Sequence, residues 1–183
     1  DSTALSNNWV MDIKEDKKGN LWIGTRGGGL KYFNQKTGKF KRYMLDPNKS
    51  NHISNINITS IIINNDRSLW IGTQDQGLIR FEIDSTGKVT SKKTELSSNL
   101  IYADKRADNF VLDIYKDRNG KLWLGTIAGG LKMLNPETGK ITHFKHDPDN
   151  PASISSNTIS SICEDNQGNL WIGTVHFMFA HGN

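Results

Sequence analysis

The chain has 183 residues, a formal charge of +4, a single cysteine and seventeen glycines. No run of about 18 apolar residues occurs, so no segment reads as a membrane-spanning helix, and Cys163 alone cannot form an internal disulfide. The lysines are scattered through turn-like segments and read as solvated turn and edge residues, not as a nucleic-acid surface.

Residues 1–4 carry no cleavable signal pattern, and the chain opens as an excised or mature segment would. The first regular segment is a strand at about residues 9–15, followed by a turn at Asp16-Lys17-Lys18-Gly19-Asn20. A second strand spans about 21–25, Gly27-Gly28-Gly29 makes a tight connection, and a third strand spans about 29–34. Thr37-Gly38 then turns the chain into a fourth strand at about 39–44. Glycine, Asp and Asn stand where hairpin turns need them.

The same unit recurs along the chain. Leu21-Trp22-Ile23-Gly24-Thr25 returns at Leu69 to Thr73, at Leu122 to Thr126 and at Leu170 to Thr174, with Trp22, Trp70, Trp123 and Trp171 separated by 48, 53 and 48 residues. Twelve residues before each Trp stands Val10, Ile58, Val111 or Ile159, nine before it Ile13, Ile61, Ile114 or Ile162, and six before it Asp16, Asn64, Asp117 or Asp165. Gly29-Leu30, Gly77-Leu78 and Gly130-Leu131 follow the first three copies.

Strand two of each unit is apolar on both faces, as in a sheet sandwiched between two others. Blades of a β-propeller are packed in that way around an axis. The expected fold is therefore all-β, a β-propeller fragment of about three and a half four-stranded blades. The blades fall at about 5–53, 54–106 and 107–156, with a half-blade at 157–174 and a divergent tail at 175–183. Trp22, Trp70, Trp123 and Trp171 are expected to fill the gap between blades, and Gly24, Gly72, Gly125 and Gly173 to admit a neighbouring side chain.

The consensus Asn-x-x-Val/Ile-x-x-Ile-x-x-Asp-x-x-Gly-x-Leu-Trp-Ile-Gly-Thr-x-x-Gly-Gly-Leu resembles the two-component regulator propeller repeat. Ser153 to Thr174 matches it well, as does the loop Asp147-Pro148 with Asn150-Pro151. The resemblance implies a periplasmic sensor region of a hybrid two-component histidine kinase of the Bacteroides type, anchored in the inner membrane by parts outside this chain. It further implies an oligosaccharide ligand. The alternatives are a structural or protein-interaction propeller segment with no small-molecule ligand, and a streptogramin-lyase-like propeller enzyme.

Three departures from the repeat stand out. Arg67-Ser68 replaces the turn glycine of the second unit, the connection through 91–109 is long, and Val175 to Asn183 replaces strands three and four of the last unit. Phe177 and Phe179 could form a short irregular strand. A partial ring leaves apolar faces open, so self-association is expected.

No catalytic constellation emerges, and neither cofactor nor metal is expected. His143 and His146 point to opposite faces of a strand, while His176 and His181 lie in the tail. Asp16, Asp117 and Asp165 read as hairpin formers, since each offers one carboxylate where calcium takes six to eight oxygens. Any ligand is expected at one rim, where Trp9, Arg26, Gln74, Asp75 and Tyr102 are the weak candidates. Gln76, His52, Asp104 and Arg106 share those loops.

Overall fold

The computed structural model describes residues 4–5, 7–43, 56–65, 67–84, 89–94 and 110–176. Among them are three four-stranded antiparallel sheets and one two-stranded sheet. The first sheet is β1 (Val10–Glu15), β2 (Leu21–Thr25), β3 (Gly29–Asn34) and β4 (Lys39–Arg42). The second is β5 (Ile58–Asn65), β6 (Ser68–Thr73), β7 (Leu78–Ile83) and β8 (Val89–Thr94). The third is β9 (Val111–Lys116), β10 (Leu122–Thr126), β11 (Leu131–Leu134) and β12 (Ile141–Phe144). The last pairs β13 (Ile159–Glu164) with β14 (Leu170–Thr174). Strands follow one another in sequence order as meanders, which is the propeller-blade arrangement. The expected three and a half blades are therefore present as an open set, not a closed ring. Tyr102, the 95–109 connection, Phe177 and Phe179 lie outside the described residues.

In units one, three and four the β1–β2-type hairpin is built by its aspartate. Asp117 Oδ1 accepts from the amides of Asn119 and Lys121, both at 2.9 Å, and Gly120 supplies the positive φ of 78° that closes the turn. Its other oxygen, Oδ2, accepts from Trp123 Nε1 at 2.9 Å. Asp165 repeats the arrangement with Gln167, Asn169 and the Trp171 indole. Asp16 accepts from the amides of Lys18 and Asn20, and Tyr32 OH takes the place of the indole at 2.9 Å. These carboxylates are saturated by their own hairpins. Burial opposes ionisation of Asp16, but the donors from Asn20, Tyr32 and Lys18 outweigh it and hold the carboxyl below its ordinary value. The second unit, which lacks the glycine, has a bulge between Ile63 and Asn65, and Asn65 Oδ1 accepts from the Arg67 amide.

The pentapeptide threonine closes the next turn. Thr25, Thr73 and Thr126 are fully buried, and each hydroxyl donates to the carbonyl of Gly29, Gly77 or Gly130 at 2.9–3.0 Å. Thr174 has no such glycine ahead of it, and its hydroxyl meets Ser155 Oγ instead.

Blade packing is directional. Cross-strand partners Trp22 and Tyr32, with Gly24 and Leu30, share one face of blade 1. That forward face meets the rear face of blade 2, so Trp22 and Leu30 share a core with Leu69, Ile71, Ile79 and Phe81. Trp70 and Leu78 meet Leu122, Leu124 and Leu134 in the same way. The forward face of blade 3, with Leu131 and Trp123, meets Ile162, Leu170 and Ile172. The glycines lie where the blades touch. A Cβ on Gly24 would come within 2.5 Å of Ile58, one on Gly72 within 3.0 Å of Val111, and one on Gly125 within 2.7 Å of the Ile159 carbonyl oxygen.

The four motif tryptophans therefore differ in environment. Trp22 and Trp70 are 3% and 2% exposed, Trp123 is half-buried, and Trp171 is 64% exposed. Trp171 stands on the forward face of the last sheet, and its burial awaits a further blade. Truncating Trp22 to Ala removes a filled interblade core and is expected to cost about 3–5 kcal/mol. Trp171→Ala is expected to change stability by no more than about 0.5 kcal/mol. Urea denaturation midpoints of the two variants check the contrast.

The Asp16 carboxyl supplies a pH dependence of definite sign. A folded-state value below the ordinary 3.8 stabilises the fold above that pH, and the contribution is lost as pH falls through the folded value. The stability difference between wild type and Asp16→Asn is expected to be full at neutral pH and to shrink below 3.8, as read by urea titrations at stepped pH.

Candidate functional site

The connection from strand two to strand three meets the segment entering strand one at one rim. A single main-chain hydrogen bond builds this meeting in every unit. The residue four after the Trp donates its amide to the carbonyl of the residue thirteen before it. The pairs are Arg26 to Trp9 (3.0 Å), Gln74 to Asn57 (3.1 Å), Ile127 to Phe110 (3.1 Å) and Val175 to Thr158 (3.0 Å). Trp9, the one tryptophan outside the pentapeptide, thus occupies a regular repeat position. The backbone of this rim is repeated while the side chains on it change from blade to blade. Such a surface is suited to recognition, because its shape is held by main-chain bonds that side-chain identity does not touch.

Trp9 and Arg26 form the most distinctive of these pairs. The Arg26 guanidinium carbon lies 4.3 Å from the Trp9 ring centroid, a cation–π stack on an indole that is 59% exposed. Asn7 Oδ1 accepts from the Trp9 amide at 2.7 Å and anchors the entry to β1. A Cβ on Gly27 would stand 3.5 Å from Asn7 Nδ2 and 4.0 Å from Asn57 Oδ1, which sets the first connection near the start of blade 2. Asn57 and Gln74 then continue the rim, with Gln76 donating its amide to Thr73 Oγ1 at 2.9 Å.

The structure brings Trp9 and Arg26 into contact and places Gln74 on the adjoining blade. Asp75 is exposed at the tip of that second connection. Tyr102, His52, Asp104 and Arg106 lie outside the described residues. Asn57, absent from the sequence candidates, belongs to the rim. Its signal was its position thirteen before Trp70, the place Trp9 holds before Trp22. Among the described residues, the equivalent pair in the third unit, Phe110 and Ile127, is apolar.

His143 lies on β12, whereas His146 is past its end. The His146 ring Nδ1 lies 2.8 Å from the Ile154 carbonyl, and its amide donates to Asn157 Oδ1, so His146 ties down the loop leading into the fourth unit. Among the described residues no cluster of three His, Cys, Asp or Glu side chains is arranged to hold a metal ion.

Arg26→Ala removes an exposed cation–π contact worth about 0.5–1 kcal/mol and leaves the main-chain bond to Trp9 in place. The variant is expected to unfold within about 1 kcal/mol of wild type by urea denaturation, with the remaining change confined to Trp9 fluorescence.

The model of the two-component regulator propeller family matches residues 4–27, 105–128 and 153–176. These stretches cover the strand-one and strand-two regions of units one, three and four, and the second unit, which has Arg67-Ser68 in place of the turn glycine, is passed over. Histidine kinase P4 of Formosa agariphila is 34% identical over 158 residues, covering 86% of this chain and 11% of that protein. The extracellular domain of BT4673 from B. thetaiotaomicron, described as a hybrid two-component system, superposes with a TM-score of 0.71 at 28% identity, covering 93% of this chain and 21% of that one. An inactive virginiamycin B lyase from Staphylococcus aureus superposes with a TM-score of 0.62 at 20% identity, over 92% of this chain and 50% of that one, a likeness of fold alone. The chain spans about a tenth of the curated relative and about a fifth of the sensor domain it superposes on.

Proposed function

Because this chain is built of two-component regulator propeller repeats, we propose that it is part of the extracytoplasmic ligand-sensing region of a hybrid two-component sensor histidine kinase and that the ligand is an oligosaccharide. Its place in such a receptor is periplasmic, with membrane anchor and kinase supplied elsewhere in the receptor. The likeness to Histidine kinase P4 and to the extracellular domain of BT4673 supports the receptor assignment.

The observation that carries the ligand class is the Trp9–Arg26 stack, with the Asn57–Gln74 pair at the equivalent place on the adjoining blade. An exposed indole offers a flat apolar face to the C–H side of a sugar ring. Guanidinium and carboxamide groups, planar and rich in donors, suit the ring hydroxyls. Binding sites combine an apolar platform with a few fixed polar groups in this manner. Nothing in the arrangement pairs a nucleophile with a base, so the rim is suited to binding and not to turnover.

The test is thermal unfolding of the chain against a panel of neutral and acidic oligosaccharides. A ligand at about 100 times its dissociation constant adds about 2.7 kcal/mol, which raises the midpoint by roughly 5–10 °C in a domain of this size. At least one glycan is expected to give such a shift in wild type, and Trp9→Ala and Arg26→Ala are expected to abolish it without unfolding the chain. A panel that shifts nothing, or a shift that survives both substitutions, would favour a structural propeller segment.

A further inference from the structure

Unit two departs from the repeat at the position that secures the side chains of the other units. Asp117 and Asp165 accept from the Trp123 and Trp171 indole N–H groups, and Asp16 accepts from Tyr32 OH. Asn64 holds the equivalent place six residues before Trp70, but its side chain is engaged elsewhere. Its Oδ1 accepts from Lys116 Nζ of blade 3 at 2.8 Å, and its Nδ2 donates to Ser68 Oγ at 3.1 Å. Among the described residues no side chain takes the Trp70 indole N–H as those aspartates take theirs. The residue opposite the motif Trp on strand three changes as well. It is Tyr32 in blade 1 and Met133 in blade 3, but Arg80 in blade 2.

Arg80 brings a second donor without an acceptor to the same place. Its guanidinium carbon lies 5.6 Å from the Trp70 ring centroid, and its Nη2 pairs with Glu82 Oε1 at 2.8 Å. Its Nε is the single buried side-chain nitrogen or oxygen among the described residues that has no hydrogen-bond partner. A donor withdrawn from water and left unpaired is unfavourable, and a ligand that supplies an acceptor removes that penalty. Trp70 and Arg80 line a cavity of ≈ 210 Å³ bordered across the blade junction by the β11–β12 turn, from Pro136 to Gly139. Pro136 and Glu137 also border a neighbouring cleft of ≈ 390 Å³, lined by Asn64, Lys116, Asn119 and Lys121. These turns join strand one to two and strand three to four. They lie at the end of the blades opposite the Trp9–Arg26 rim, because successive strands of a meander run in opposite directions.

The chemistry of the lining selects the ligand. Guanidinium and indole nitrogens only donate, so they call for a group that only accepts, and a carboxylate is such a group. Lys116 and Lys121 add positive charge to the cleft, whereas Glu82 is already paired with Arg80 and Glu137 is exposed in its turn. The Asn119 side chain borders the cleft, where a carboxamide can both donate to and accept from a hydroxyl. We infer that this junction binds a small hydroxylated organic carboxylate, whose carboxylate accepts from Arg80 Nε and the Trp70 indole N–H and whose hydroxyl groups extend toward Asn119 and Lys121. The site is separate from the rim. It spans strand three of blade 2 and the turns of blade 3, so an occupant ties the two blades together.

Thermal unfolding of the 183-residue chain tests this, with glucuronate as the probe and glucose as its neutral counterpart at equal ionic strength. Glucuronate at about ten times its dissociation constant is expected to raise the wild-type midpoint by roughly 3–6 °C, and glucose to leave it in place. In the nitrogen-15-labelled chain, the Arg80 Nε–H and Trp70 indole N–H resonances are expected to move together during the glucuronate titration. Arg80→Met puts at this position the residue type that blade 3 carries as Met133, and it is expected to fold and to lose the shift. Trp9→Ala is expected to keep the shift, which separates this site from the rim. Glu137→Gln removes an exposed opposing charge and is expected to tighten binding about two- to fivefold. A wild-type midpoint that glucuronate does not move overturns the proposal, as does an equal shift from glucose. So does a shift that survives Arg80→Met, a shift lost in Trp9→Ala, or weaker binding in Glu137→Gln. If Arg80→Met does not fold, the wild-type resonances decide, and resonances that stay fixed overturn the proposal.

Discussion

A four-stranded blade of this chain has two apolar faces and can bury neither by itself. That constraint organises the rest of the molecule. It requires each sheet to be covered by another of the same kind, and the repeat supplies unlike forward and rear faces so that stacking has a direction. The forward face offers a large indole and a glycine gap, while the rear face offers branched and aromatic side chains that fill them. Trp22 and Gly24 are therefore a matched pair, one projecting and one receding, on the same side of a single strand.

Polar groups reinforce the direction that packing sets. Asp12, Ser60 and Asp113 cross the blade junctions to reach backbone amides, a use of carboxylate and hydroxyl that fixes the relative height of successive first strands. Asp113 carries the strain of this role. Burial comes first in pushing its carboxyl above the ordinary value, the amides of Ile162 and Ile114 and the Ser60 hydroxyl oppose the shift, and the charge of Asp12 adds to it. Within the hairpins of units one, three and four a different aspartate is satisfied by its own turn and by the indole or phenol next to it, so the two sets of carboxylates serve distinct purposes. The junction set joins blades, and the hairpin set fixes the turns, with Asp117 and Asp165 also holding the Trp123 and Trp171 indoles.

The proposed recognition surface is free of these duties because it lies on the rim. The main-chain bond from the residue after the pentapeptide to the residue before strand one recurs in all four units, yet its side chains run from Trp and Arg through Asn and Gln to Phe, Ile, Thr and Val. A shared backbone with changing side chains allows the repeats to specify a binding surface without disturbing the stack. The Trp9–Arg26 pair is the clearest case, since it is exposed and contributes little to the core.

The order of strands, the hairpin turns and the blade count were legible in the sequence, because glycine and aspartate at fixed distances from the tryptophan encode local backbone geometry. Local geometry depends on neighbours in the chain. The rim candidates Trp9, Arg26 and Gln74 were legible for the same reason, as residues in connections between strands. Asn57 was overlooked although it stands thirteen before Trp70, because only the main-chain bond seen in the fold gives that position a role. The environments of identical motif residues were decided only by tertiary structure. Trp22 and Trp171 stand in the same pentapeptide, but one has a blade packed against it and the other faces solvent. Lys31 and Lys132 are likewise buried because the stack encloses them. Burial is a property of the neighbouring sheet, which no pentapeptide contains, whereas turn and strand are properties of the segment itself.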